Sequence, residues 1–319
     1  MQKLVEVKRR MSSVRSIRSV ARTMATVASA KLSRSRERAA GIRVYTEEMR
    51  GIVQRQQASA SAAGIDITKL SPYLVPHESV RSVLLLHLAG DRGMCGGYNS
   101  AVNRVAAYVV SRFLGDGVKV TAIAKGLKGE KYLRTKTGAE IVESQGWERA
   151  GVTPEEVDAM FERLSDAFMS GECDEVWCSY TRFYSPLRRQ PRVIRLLPIV
   201  FEAPTKQVAG EGALDRPASS PDRWFYEPDL PAILTEILGT LLRMQIEDVL
   251  LESYASEQGA RMITMEEATE RADRTLQELT VQYNRLRREV ITGDLIGVLF
   301  ASRLREDQEA AAAAQEDRV

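Results

Sequence analysis

Small and apolar side chains recur at Leu4, Val7, Met11 and Val14, then at Ala21, Ala25, Ala28 and Leu32, with Arg18 interrupting the run. Steps that alternate between three and four residues are the seam of a coiled coil. A second stripe, Ile17, Val20, Met24 and Val27, lies beside the first. No proline occurs before Ala58, and Gly41 and Gly51 are the only glycines there. A helix of that length would reach about 85 Å at 1.5 Å per residue, so it needs an equally long partner. The other end of the chain supplies one. After Pro231 there is no further proline, and Met262, Met265, Ala268, Ala272, Leu276, Leu279, Tyr283, Leu286 and Val290 form a second ladder, preceded by Leu234, Ile237, Leu241 and Met244. That helix would span on the order of 110 Å. Two long terminal helices with one seam each pair most simply as antiparallel neighbours, with the middle of the chain inserted between them.

Between residues 80 and 201 the rhythm changes. SVLLLHLA, VKVTAIA, EVWCSY and RVIRLLPIV read as short strands, separated by helical segments from Asn99 to Leu114 and from Pro154 to Ser170. Strands alternating with helices imply a mostly parallel sheet. The expected organisation is a coiled-coil helix over 1–58, a linker over 59–79, a globular α/β domain over 80–201 and a flexible loop over 202–225. A second coiled-coil helix follows over 226–305, and an Ala-rich charged tail over 306–319.

Composition narrows the classes of function. Forty-five basic against 43 acidic residues leave a net charge of +2, which argues against nucleic acid as a partner. Three cysteines give no disulfide framework, and no stretch approaches the roughly 20 apolar residues of a spanning helix. The basic N-terminus has no apolar core segment or cleavage site of a secretion signal. His77 and His87 are the only histidines, and no metal-ligand cluster or activated nucleophile stands out. No cofactor is expected.

One loop raises a nucleotide question. HLAGDRGMCGGYNSAV, 87–102, places Gly90, Gly93, Gly96 and Gly97 between a strand and a helix. The order matches neither G-x-G-x-x-G nor G-x-x-x-x-G-K-[ST], although a backbone cradle at the following helix remains physically possible. GDRGMCGGYN does resemble the G-D-R-G-L-C-G-G-x-N stretch of the gamma subunits of F-type ATP synthases. SVARTMATVASAKLSRS (19–35), YEPD (226–229), ASEQGARMITMEEAT (255–269) and LTVQYNRLRREVIT (279–292) are similar to the same family in the same order. The resemblance covers some 300 residues. It implies a long antiparallel coiled coil of N- and C-terminal helices with an inserted Rossmann-like, mostly parallel α/β domain, which matches the periodicity reading.

The resemblance also implies a function, that of a non-catalytic rotor shaft. The shaft would couple ion-driven rotation of a membrane ring to conformational cycling of catalytic beta subunits. Its implied partners are alpha and beta subunits, an epsilon subunit and the membrane c-subunit ring. It would meet the membrane only through the complex, at the cytoplasmic face of the inner membrane. Implied beta-subunit contacts are Arg9, Arg10, Arg22, Met24, Lys31, Cys95, Arg287, Arg288, Thr292 and Asp294. Tyr226 and Glu227 would belong to the foot on the ring. Departures cluster late in the chain: in ITGDLIGVLFAS, Asp294 stands for a glutamate, Gly297 for a second acid and Ala301 for a glycine, while Arg288 replaces the usual glutamine.

Each of these features has a plainer reading. Ten basic residues between Lys3 and Arg36, against Glu6 alone before residue 37, can be a solvated face. Arg285, Arg287 and Arg288 can complement a helix dipole, as can Glu227. Cys173 and Cys178 read as inert thiols, because the inserted segment of the chloroplast redox switch is absent. LIGVLF, apolar nearly all round, is unusual for an exposed terminus, and on the resemblance a tip turning inside an apolar collar would explain it. A Rossmann-type nucleotide-binding protein and a generic coiled-coil adaptor are the competing functions.

Overall fold

A computed structural model describes residues 2–62, 70–75, 79–200 and 230–316. The element order is α1 (Gln2–Ala62), a short 3-10 turn (Pro72–Leu74), β1 (Ser82–Leu88), α2 (Tyr98–Gly115), β2 (Lys119–Lys125), α3 (Leu127–Lys136), β3 (Glu140–Gln145), α4 (Pro154–Met169), β4 (Glu175–Phe183), β5 (Arg189–Leu197) and α5 (Leu230–Glu316). Helix α5 runs on through most of the segment expected to be a separate tail: five alanines in a row after Glu309 favour helix rather than interrupt it. The chain forms two compact units, residues 1–25 with 265–319 and residues 26–264.

In the first unit the two terminal segments pair antiparallel. Val7 and Met11 pack with Leu279, and Val14, Leu276, Tyr283 and Leu286 close around them. Ala21 and Ala25 meet Met265, flanked by Met24 and Ala268. The buried positions of α1 in this unit follow the three-and-four ladder, and Arg18 occupies a seam position. Its guanidinium reaches Asp273 at 2.6 Å, so the one polar interruption is answered from the facing helix. The second stripe is another matter. Ile17 and Val20 are exposed. From Ile291 onward the described side chains of α5 are exposed as well, because α1 provides seam residues only as far as the Leu286 level.

The second unit holds a five-stranded sheet in the order β3-β2-β1-β4-β5. Strands β1 to β4 are parallel and β5 runs antiparallel to β4 at the edge. Pro191 lies in that edge strand, where a missing backbone donor is tolerated. Central strand β1 is buried on both faces, which accounts for its unbroken apolar run. Leu84, Leu86 and Leu88 face a core completed by α4, by Ala39 and Val53 of α1, and by Leu234, Leu238 and Leu242 of α5. Leu85 faces Ala106 and Val110 of α2 and Leu133 of α3.

Strand β3 and helix α3 were not anticipated from the sequence. Strand β3 is an edge strand with no buried residue, so EIVESQ lacks an apolar signature. Helix α3, LKGEKYLRTK, is short, mostly polar and carries Gly129. That glycine gives passage to His87, whose imidazole would lie 2.7 Å from an added Cβ.

Candidate functional site

The glycine loop leaves the C-terminal end of β1 and leads into α2. Asp91, Cys95, Tyr98 and Asn99 of this loop are turned inward. Asp91 Oδ1 accepts from the Leu127 amide at 3.1 Å and Oδ2 from the Trp147 amide at 2.8 Å. The N-terminus of α3, where a phosphate would be drawn, is therefore occupied by a carboxylate of the chain itself. Asn99 accepts from the Gly90 amide at 2.8 Å and donates to the Arg92 carbonyl at 3.2 Å. These bonds hold the loop in a fixed course through two left-handed residues, Met94 and Gly96.

In open α/β sheets ligands bind where the strand order reverses, here between β1 and β4. Helix α5 fills that crevice. Tyr98 shares a hydrogen bond of 2.8 Å with the Ser253 hydroxyl, and Ser256 donates to the Thr181 carbonyl at 2.9 Å. A Cβ at Gly90 would lie 2.9 Å from the carboxyl carbon of Glu257, so only glycine lets the loop approach the helix this closely. Burial pushes the Glu257 carboxyl up, and Arg261, 2.5 Å away, opposes the shift. Two acidic side chains and a helix thus occupy the space a nucleotide would need. Tyr98 and Ser256 are uncharged partners that fasten the helix there. The glycine loop clamps the sheet onto α5.

Other polar groups of this unit are equally committed. Lys125, at the end of β2, forms a buried ion pair with Glu156 and lies 5.7 Å from the Trp147 ring centre. Trp147 Nε1 donates to the Ala89 carbonyl at 2.5 Å, and the ring packs on Tyr254. His87 bridges Ser179 at 2.7 Å and Asn103 at 2.8 Å across the sheet. Among the described residues no group of three His, Cys, Asp or Glu is placed to hold a metal ion. The thiols of Cys95, Cys173 and Cys178 are buried and free, and burial pushes each of them up, Cys173 to about 12.

The residues expected to touch partners lie in different settings. Arg9, Arg10 and Arg22 are exposed on α1, beside the seam. Met24 is half-buried against Ala21, Ala25 and Met265. Lys31 donates to the Arg149 carbonyl at 3.2 Å, so its ammonium is already engaged within its own unit. Cys95 is 2% exposed and packs on Tyr98 and Ala260; the side chains that its loop presents outward are Arg92 and Met94. Arg287, Arg288, Thr292 and Asp294 are all exposed, about two turns and more beyond the Met11–Leu279 contact. Tyr226 and Glu227 lie outside the described residues.

One charged feature escaped the sequence reading. The hairpin joining β4 to β5 carries Arg182, Arg188 and Arg192 around Tyr184, and Arg189 beside Arg188 at the start of β5. Its signal was available: five arginines and no acidic residue stand between Val176 and Val200.

Comparison with known proteins agrees along the chain. The family model described as ATP synthase matches residues 3–302. An ATP synthase gamma chain of Dehalococcoides mccartyi is 32% identical over 298 residues, covering 92% of this chain and 95% of that one. Gamma chains of Chlorobaculum parvum and a Jannaschia species are each 32% identical, over 295 and 303 residues, covering 92% and 94% of this chain and 95% and 98% of theirs. The central stalk and c-ring structure of the Tetrahymena thermophila mitochondrial ATP synthase contains a chain of the same fold, with a TM-score of 0.55 and 19% identity, over 78% of this chain and 99% of that one.

Proposed function

We propose that this chain, which belongs to the ATP synthase gamma family and is the rotor shaft of the central stalk, does no chemistry itself and works through the stiffness and exposed charges of its paired helices. The observation that carries this reading is the antiparallel seam of the first unit, Val7 and Met11 on Leu279 and Ala21 and Ala25 on Met265. A shaft drives its surroundings only if it meets their conformations with different free energies; contacts of equal energy shift no population. The exposed Arg9, Arg10, Arg287 and Arg288 are suited to supply that difference against acidic elements of the beta subunits, with Thr292 and Asp294 as further contacts beside them. Tyr226 and Glu227 would engage the polar loops of the c-subunit ring, and an epsilon subunit would complete the stalk. No helix among the described residues is long and apolar enough to cross a membrane. In this reading the chain meets the membrane through the complex, at the cytoplasmic face of the inner membrane.

The test is Arg287→Glu in the assembled enzyme. Reversing one exposed charge at a contact costs roughly 1 kcal/mol, so ATP synthesis in membrane vesicles is expected to fall between about two- and tenfold while the isolated chain stays folded. Unchanged synthesis removes Arg287 from the contact. For the non-catalytic claim, the isolated chain is titrated with ATP by calorimetry. Saturable binding at micromolar concentrations would revive the nucleotide reading, against which Asp91 and Glu257 now stand.

A further inference from the structure

The β4–β5 hairpin concentrates positive charge at its tip. Ser185, Pro186, Leu187 and Arg188 form its turn, closed by the Arg188 amide on the Ser185 carbonyl at 3.1 Å, with proline at the position that favours such a turn. The guanidinium carbons of Arg188, Arg182 and Arg192 lie 4.8, 5.4 and 6.0 Å from the centre of the Tyr184 ring, and Arg192 donates to the Tyr184 hydroxyl at 2.9 Å. Three like charges on one ring repel one another, and the ring face offsets only part of that. Arg182 has a distant carboxylate, Glu252 at 3.9 Å. Among the described residues no carboxylate lies within ion-pair distance of Arg188, Arg189 or Arg192. Arg189 Nη1 is buried and makes no hydrogen bond. At the tip Leu187 is 81% exposed.

We infer that this hairpin is a docking surface for an acidic protein segment, received by Arg188 and Arg192 with Tyr184 and Leu187 as its apolar contacts. Guanidinium forks match carboxylates in pairs, and Arg with Tyr is the composition of interface centres. A free phosphate would need an enclosing pocket, whereas the hairpin is a projecting tip. The cleft lined by Gln54, Arg195, Val200 and Leu241 lies at the opposite end of β5. Strand β4 is parallel to β1, so the hairpin and the glycine loop leave the same end of the sheet. On the rotor reading, from which this inference proceeds, the resemblance makes Cys95 of the glycine loop a beta-subunit contact, so this end of the sheet is the one toward the catalytic subunits and the acidic segment is theirs.

The test uses the assembled complex with Arg188→Lys and Arg192→Lys, which keep the charge and supply amines that a carbodiimide joins directly to a touching carboxylate. Mass spectrometry is expected to find position 188 or 192 linked to an Asp or Glu of an alpha or beta subunit, and the link lost when Arg188→Glu and Arg192→Glu replace the lysine variants. Recovery of the complex with no link, or with links only to carboxylates of this chain such as Glu252, overturns the docking surface and leaves the rotor reading intact. Failure of the chain to co-purify with alpha and beta subunits removes both. Flotation of the isolated chain on phosphatidylglycerol vesicles, abolished by the glutamate pair, would overturn the inference in favour of a lipid surface.

Discussion

At the scale of single residues the second unit is held by polar groups placed where strands and helices leave no water. His87 is the clearest. Its Nε2–H donates to Asn103 Oδ1, its Nδ1 accepts from Ser179, and burial holds its pKa at about 4 against the ordinary 6.5, with the Asn103 bond pulling the other way. The unfolded chain therefore takes up a proton between pH 6.5 and 4 while the folded chain does not, and stability is lost as pH falls through that window. A shift of that size is worth about 3 kcal/mol. Glu257, held above the usual carboxylate range, works in the opposite sense, so the comparison must be with a variant. In His87→Gln the fall in urea midpoint between pH 7 and pH 4.5 is expected to be clearly shallower than in the parent chain. Parallel slopes would mean that His87 does not govern the acid response.

Elements are where the sequence was most and least readable. The seams were legible because a buried stripe on a long helix must repeat every three or four residues, and Val7, Met11, Ala21, Ala25, Met265, Ala272 and Leu279 are among the buried positions. The glycine loop was legible as a strand-to-helix turn, but not as a clamp: its partners Ser253 and Glu257 are more than 150 residues away, and no local pattern announces them. Strand β3 was unreadable for the opposite reason, since an edge strand with no buried side chain needs no apolar code. Arg18 looked like a break in the ladder and is in fact paired. Polar residues at such positions hold register at a cost in stability. Arg18→Leu is expected to raise the thermal stability of the chain by about 1 kcal/mol. Asp273→Ala should lower it by less than that, an effect that fades at 0.5 M salt. Scanning calorimetry of the variants decides it; a lower melting temperature for Arg18→Leu would show the pair to be a net support.

At the level of the whole chain, near-neutral net charge conceals uneven placement. Basic residues crowd the first helix and the β4–β5 hairpin, while balancing acids such as Glu247, Glu252 and Glu257 are buried along α5. This is the distribution expected of a protein whose exposed surface meets acidic neighbours on more than one side. The candidate contact residues were legible only through resemblance. Exposure alone separates Arg287 or Arg9 from the inward Cys95 and the engaged Lys31.

The core of the second unit joins Ala39 and Val53 to strand residues such as Leu84 and Val176, and these to Leu234, Leu238 and Tyr254. During synthesis the sheet is therefore complete long before the helix that covers it exists. Until residues 230 onward have been synthesised, the ribosome carries an unfinished, greasy surface, a situation that favours chaperone capture and slow maturation. A chain truncated after Val200 should accordingly be recovered aggregated or chaperone-bound, and supplying residues 230–316 as a separate peptide should restore solubility; a soluble, stable truncation would show that the sheet needs no such cover.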